Sequence, residues 1–289
     1  MHLPFDTMRA AGPLEIYALA FWLALTAIGS PAAAEEQGLA AERIPWSELS
    51  FRAKKLFVTA DAEVHLSRLE EDQLLMFLSS EVLGRTSETR LWLDASSARA
   101  SREEKLKIKD KAELRAYAYA ADHAVKERYH EREAEARSEP VETWTLKGSE
   151  RQDYPGGESP TPVTSPSAIL YVLAASKLAK PGDTLDVTIF TDRRLVTARA
   201  EVTESASARP LRLTTPDGAQ LYEPADVLRI QLTGRDPAGA AVDLGLFGLE
   251  GDLEVLLDLE NRLPLSIRGA LPVIGKLSVR LIEAKLEGS

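Results

Sequence analysis

The sequence predicts a mainly β protein, an antiparallel sheet that carries one short buried helix. Apolar residues recur at every second position in segment after segment. Ala60, Ala62, Val64 and Leu66 alternate with Asp61, Glu63 and His65, and Val196, Ala198, Ala200 and Val202 alternate with Thr197, Arg199, Glu201 and Thr203. That is the period of a strand with one face on a core. One stretch, Ala168 to Leu178 (AILYVLAASKL), is instead apolar almost all round, which suits a buried helix. Turn signals such as Asp236-Pro237-Ala238-Gly239 punctuate the rest.

Residues 1–34 read as an export signal. The apolar run Ile16 to Ile28 is shorter than the roughly 20 residues of a comfortable membrane span. Gly29-Ser30-Pro31 and the small Ala32-Ala33-Ala34 follow it, the build of a cleavable signal with an Ala-x-Ala site. The expectation is a soluble periplasmic protein that is not integral to a membrane once the signal is removed. Asp6, Arg9 and Glu15 make the head less positive than usual, which leaves an uncleaved anchor or a start at Met8 as alternatives. With no Cys, neither a lipoprotein anchor nor a disulfide is available. The 35 Lys+Arg and 45 Asp+Glu give a net charge of −10, and no basic patch stands out. Nucleic acid and anionic lipid headgroups are therefore disfavoured as partners.

Residues 35–43 (EEQGLAAER) read as a flexible leader, followed by a single β-rich domain over 44–286. Ile44-Pro45-Trp46 and Phe51 to Val58 open it, and the segments Leu74 to Leu83 and Glu88 to Leu93 continue it as a meander. Residues 101–137 carry two patterns. Leu114, Tyr117, Ala121, Val125 and Tyr129 fall at helical spacing among good helix formers. Against that, Leu106 and Ile108 alternate with Lys105, Lys107 and Lys109, and Tyr117 and Tyr119 share one side of a strand. Pattern alone favours the helix.

Residues 148–166 (GSERQDYPGGESPTPVTSP) are dense in Gly, Pro, Ser and Thr, so they are expected to build no ladder and to form a surface loop or a linker between two halves. Ser165 supplies an N-cap and Pro166 a first helical position for a helix at about 166–178, which Lys180-Pro181-Gly182-Asp183 ends. Leu185, Val187 and Ile189 then alternate with polar residues, and Thr191-Asp192-Arg193-Arg194 has the length of a hairpin connection. Leu228, Ile230 and Leu232 repeat the theme. Leu253 to Leu259, Leu263 to Ile267 and Leu277 to Leu281 complete a multi-stranded sheet with one apolar face.

No catalytic, cofactor-binding or metal-binding residues are assigned, and no cofactor is expected. His65, His123 and His130 lack the spacing of a helix-borne metal pair. Gly245-Leu246-Phe247-Gly248-Leu249-Glu250-Gly251 lacks the Lys-Ser/Thr ending of a phosphate loop and suits a turn or bulge. Asp94, Asp258 and Glu260 could pair as acid and base, as carboxylates of any acidic protein could. No Gly-x-Ser-x-Gly elbow is present. Leu91 to Arg99 and Val255 to Pro264 echo each other, each running apolar, Asp, polar, Arg. An Asp accepting hydrogen bonds from the backbone of its own turn explains both.

Ser165 to Tyr171, Lys180 to Asp183, Asp258 to Leu265 and Ile274 to Leu277 together resemble the bacterial envelope family known as the domain of unknown function, number 3108. The likeness covers most of 44–286 and is strongest from 163 onward. Leu56 to Asp61 departs from the family's Gly-rich first hairpin. The resemblance implies strands also in 101–137, and a curved antiparallel sheet or half-barrel similar to the periplasmic lipoprotein carriers. It carries over no functional residues. The function expected is non-catalytic binding of an apolar or lipid-like ligand between sheet and helix, with the 148–166 loop as rim. An envelope scaffold that binds a protein partner and a cell-envelope hydrolase are the alternatives.

Overall fold

The computed structural model describes residues 38–55, 58–70, 72–82, 84–109, 111–131, 143–271 and 275–287. The expected export signal at 1–34, the start of the expected leader, Leu56, Phe57, Leu83, 132–137 and Ile274 lie outside them. Among the described residues, one mixed sheet is built from β1 (Trp46–Lys55), β2 (Val58–Glu70), β3 (Gln73–Val82), β4 (Arg85–Asp94), β5 (Ala100–Ile108), β6 (Ala112–Tyr119), β7 (His123–His130), β8 (Thr145–Asp153) and β9 (Val163–Thr164). After the helix α1 (Ile169–Ala175) come β10 (Thr184–Phe190), β11 (Leu195–Ala206), β12 (Leu211–Thr215), β13 (Gly218–Tyr222), β14 (Val227–Arg235), β15 (Ala241–Val242), β16 (Glu250–Asp258), β17 (Pro264–Leu271) and β18 (Gly275–Leu286).

The first eight strands form an uninterrupted antiparallel meander. β18 joins it at β1, and the sheet continues through β17, β16, β14, β11 and β10 to β9. The β12–β13 hairpin attaches to β18, and β15 to β14. Two of these pairings, β9–β10 and β12–β18, are parallel, so the sheet is mixed and not purely antiparallel. It is mainly β and not closed, as the sequence predicted.

The helical spacing of Leu114 to Tyr129 is not realised, because these residues lie in β6, β7 and the turn between them, with β5 before them. Local propensity favours a helix there, but pairing overrides it. On one side Leu106 and Leu114 lie opposite each other and pack with Trp144; on the other, Glu103 lies opposite Tyr117. The expectation of a ladderless 148–166 also fails at both ends, since Gly148–Asp153 belong to β8 and Val163–Thr164 form β9, which pairs with β10. Those residues retain their N–H groups, and the Pro and paired Gly begin only at Pro155. The charged residues of β8 suit an edge strand.

The helix forms where predicted but is shorter. Ser165 Oγ accepts from Ser167 N–H, a 3-10 turn spans Pro166–Ala168, and α1 ends at Ala175. All seven α1 residues are buried in a core cluster that draws on both halves of the sheet. Of the leader, Leu39 N–H donates to Ser96 O and Ala40 N–H to Ala175 O, which ties this segment across the helix end.

The two echoing segments form the same turn. Asp94 and Asp258 each close a loop by bonding N–H to the carbonyl five residues on (Arg99, Leu263), and the fifth residue of each turn is left-handed, Ala98 at φ 55° and Arg262 at φ 52°. Asp94 Oδ1 accepts from the N–H and hydroxyl groups of Ser96 and Ser97. Asp258 Oδ2 accepts from Asn261 N–H. Both turns hold α1: Tyr171 Oη donates to Ala95 O, and the buried Arg262 guanidinium donates to the carbonyls of Leu173, Ala174, Ser176 and Leu178.

Candidate functional site

Directly paired residues of neighbouring strands share a face of the sheet. One row across the meander therefore reads Leu66, Met76, Leu91, Glu103, Tyr117, Lys126, Glu150, and the next Val64, Leu78, Thr89, Lys105, Arg115, Arg128, Gly148. This is the core face on β2–β4. From β5 onward the same face becomes charged.

Glu103 marks the boundary. It is fully buried, and its carboxylate accepts from the hydroxyls of Ser165, Ser167 (2.8 Å) and Tyr119 (3.0 Å) and pairs with Lys105 Nζ at 3.1 Å. Four donors around one carboxylate satisfy its burial and fix the direction of Lys105. Burial and the Glu103 charge hold the Tyr119 hydroxyl well above the usual phenol range.

The β10–β11 hairpin supplies a second carboxylate. Asp192 accepts from Tyr117 Oη at 2.7 Å and from Arg115 at 2.9 Å, with Lys126 Nζ 3.7 Å away. Burial acts to raise its carboxyl, but the Tyr117 hydrogen bond and the charges of Lys105, Lys126 and Arg115 outweigh that and hold it below the usual range. Asp192 is ionised at neutral pH.

Two cavities meet at this point, and Arg115 and Asp192 line both. The larger, about 430 Å³, is floored by Leu78, Thr89, Lys105 and Lys107 and walled by the Leu246–Gly248 turn. The smaller, about 300 Å³, is lined by Arg115, Lys126, Arg128 and Arg193 with Glu150, Gln152 and Asp192. The wall of the larger cavity is the segment that superficially resembled a phosphate loop. Leu246 and Leu249 exchange backbone hydrogen bonds of 3.0 and 2.9 Å around Phe247 (φ 52°) and Gly248 (φ 75°), a type I′ turn. These N–H groups are spent within the turn, and the Phe247 ring packs 5.8 Å from Phe51.

The remaining sequence candidates lie apart from the cleft. His65 pairs with Glu63, His123 with Asp122 and His130 with Glu113, on separate strands or turns. Asp94 is absorbed by its own turn. Asp258 and Glu260 converge on one donor, the Tyr222 hydroxyl, each at 3.0 Å. Asp258 Oδ1 is buried without a hydrogen-bond partner among the described residues, and desolvation raises its carboxyl despite the hydrogen bonds from Asn261 and Tyr222. Neither cavity includes these carboxylates.

Among known proteins, no family model, no curated protein and no solved structure matches the chain.

The cleft residues were not singled out from sequence, although a signal for them was present. Lys105 and Lys107, Arg115 and Tyr117, and Lys126 and Arg128 are each two apart, which places each pair on one face of a strand and on different faces of a helix. Reading 101–137 at helical spacing scatters these cations. The fold gathers them along one cleft, beside the carboxylates of Glu150, Asp192, Asp243 and Glu250.

Proposed function

We propose that this chain is an exported, non-catalytic binding protein whose ligand is an amphiphile seated in the larger cavity. Its apolar part lies on Leu78, Leu246 and Phe247, and its anionic end meets Lys105 and Lys107. The observation that carries this reading is the change of character within one cavity of about 430 Å³: apolar Leu78, Leu246 and Phe247 border Lys105 and Lys107, with the carboxylates of Asp192, Asp243 and Glu250 elsewhere in the lining. A few placed polar groups beside apolar surface are what orient a small ligand. Lys107 has no ion-pair partner among the described residues, so it is available to a ligand's charge. The apolar run and Ala-x-Ala site of residues 16–34 support export to the periplasm, and the likeness to the envelope family belongs to the same reading. The space beneath the helix is filled by the core cluster, so the ligand is placed in the cleft beyond it and not between sheet and α1.

Mass spectrometry of amphiphiles that co-purify with the full chain tests this, together with displacement of a fluorescent fatty acid. Stoichiometric recovery of an anionic amphiphile is expected from the wild type, with at least a tenfold loss of probe affinity in K107E. Recovery of none, with no displacement, removes the proposal.

A further inference from the structure

The smaller cavity has a different chemistry. Its cations approach from three elements: Arg115 from β6, Lys126 and Arg128 from β7, and Arg193 from the β10–β11 hairpin, while Gln152 of β8 adds an amide. Two carboxylates share the lining, Glu150 and Asp192, which leaves an excess of positive charge on a chain of net charge −10. Arg115 is engaged by Glu113 at 2.6 Å and Asp192 at 2.9 Å, and Lys126 lies 3.7 Å from Asp192. Arg128 and Arg193 have no ion pair within 4 Å among the described residues. Like charges gathered in a concavity repel, and the arrangement is relieved by an anion. Guanidinium forks from different directions suit a group that presents several acceptor oxygens in a tetrahedron, more than a planar carboxylate with two.

We infer that this cavity is a binding site for a small phosphate-type polyanion, held by Arg128 and Arg193 with Arg115 and Lys126 behind them and Gln152 donating from the side. Its volume, about 300 Å³, accommodates a phosphate or diphosphate group. The inference does not depend on the amphiphile reading, since Leu78, Leu246, Phe247 and Lys107 lie outside this lining.

The test is calorimetric titration of the full chain at low ionic strength with inorganic phosphate, pyrophosphate and malonate, the last a dicarboxylate. Pyrophosphate is expected to bind one-to-one and more tightly than malonate. R128Q/R193Q, both partly or fully solvent-facing positions, is expected to weaken it at least tenfold with an unchanged melting temperature, and K107Q to leave it unaltered. Absence of heat with both phosphates overturns the inference. So does equal binding by R128Q/R193Q, an equal loss in K107Q, which would report only the general field, or tighter binding of malonate. Failure of the fatty acid displacement with pyrophosphate binding intact would remove the amphiphile reading alone.

Discussion

Trp46 and Arg262 lie 216 positions apart in sequence and meet at one hydrogen bond, in which the indole N–H donates to the Arg262 carbonyl oxygen over 3.1 Å. That bond holds the left-handed residue of the β16–β17 turn in place, and the side chain of the same residue reaches the end of α1. Helix carbonyls left without partners in a core are costly, and a cation there also meets the negative end of the helix. Burial, with repulsion from Arg43, lowers the guanidinium to about 10, still well above neutral pH, so it remains charged.

Replacing Arg262 therefore removes several bonds at once. R262A is expected to lower stability by about 3 kcal/mol or more, because several buried carbonyls lose their donors together. R262K should recover only part, since an ammonium is a point donor that cannot span carbonyls as far apart as Leu173 and Leu178. Urea unfolding of the three proteins checks this. Equal stability of R262K and the wild type would show that charge alone suffices.

The equivalent aspartates of the two turns should have opposite pH signatures. Partial burial raises the Asp94 carboxyl, but hydrogen bonds from Ser97 and Ser96 outweigh it and hold it below its ordinary value. Its stabilisation is thus present above the unfolded value of about 4 and is lost as pH falls through the lower folded value. Asp258 is raised, chiefly by desolvation, so its ionisation costs stability as pH rises above about 4. In unfolding series from pH 3 to 7, D94N should fall further below the wild type as pH rises, by about 1–3 kcal/mol at pH 7. The deficit of D258N should shrink over the same interval. Parallel curves for both variants would show that the two turns titrate alike.

Three of the four motifs behind the family resemblance adjoin the same helix; the described part of the fourth, Gly275 to Leu277, opens β18. Ser165 to Tyr171 cap and form it. In Lys180 to Asp183 the Asp183 carboxylate accepts from the N–H groups of Ala179 and Lys180 just beyond it, and Asp258 to Leu265 carry the Arg262 clamp. These features were legible because each is local: a cap, a Pro-Gly-Asp turn, an Asp that serves its own loop. The alternating strands were legible for the same reason, as with Val196 to Val202 in β11. The clamp itself was not, since it joins residues 84 to 89 positions apart. Nor was the cleft, which requires the registers of β4 to β8 before Thr89, Lys105, Arg115 and Arg128 fall into one row.

Glu103 is where the apolar and charged parts of that face are joined, and its removal should be felt in both. E103A leaves Lys105 and three hydroxyls without their acceptor, and loss of one member of a buried charged pair costs about 3–5 kcal/mol. E103Q keeps the shape and one acceptor oxygen, so it should retain most of the fold while releasing Lys105. Thermal unfolding separates the two variants. Equal melting temperatures for E103A and the wild type would show that the cluster contributes no net stability.

Asp192 occupies part of the charge that the smaller cavity would present to an anion. In D192N the Tyr117 hydroxyl can still donate to the side-chain carbonyl, so the hairpin should hold its position while Arg115 and Lys126 lose their counter-charge. Pyrophosphate affinity is then expected to rise by about three- to tenfold, the effect of about 1 kcal/mol of relieved electrostatic competition. The gain should shrink with added salt, because the cavity is open to solvent screening. Titration of D192N beside the wild type at two salt concentrations measures both effects. A weaker D192N would mean that Asp192 organises the cations for the ligand instead of competing with it.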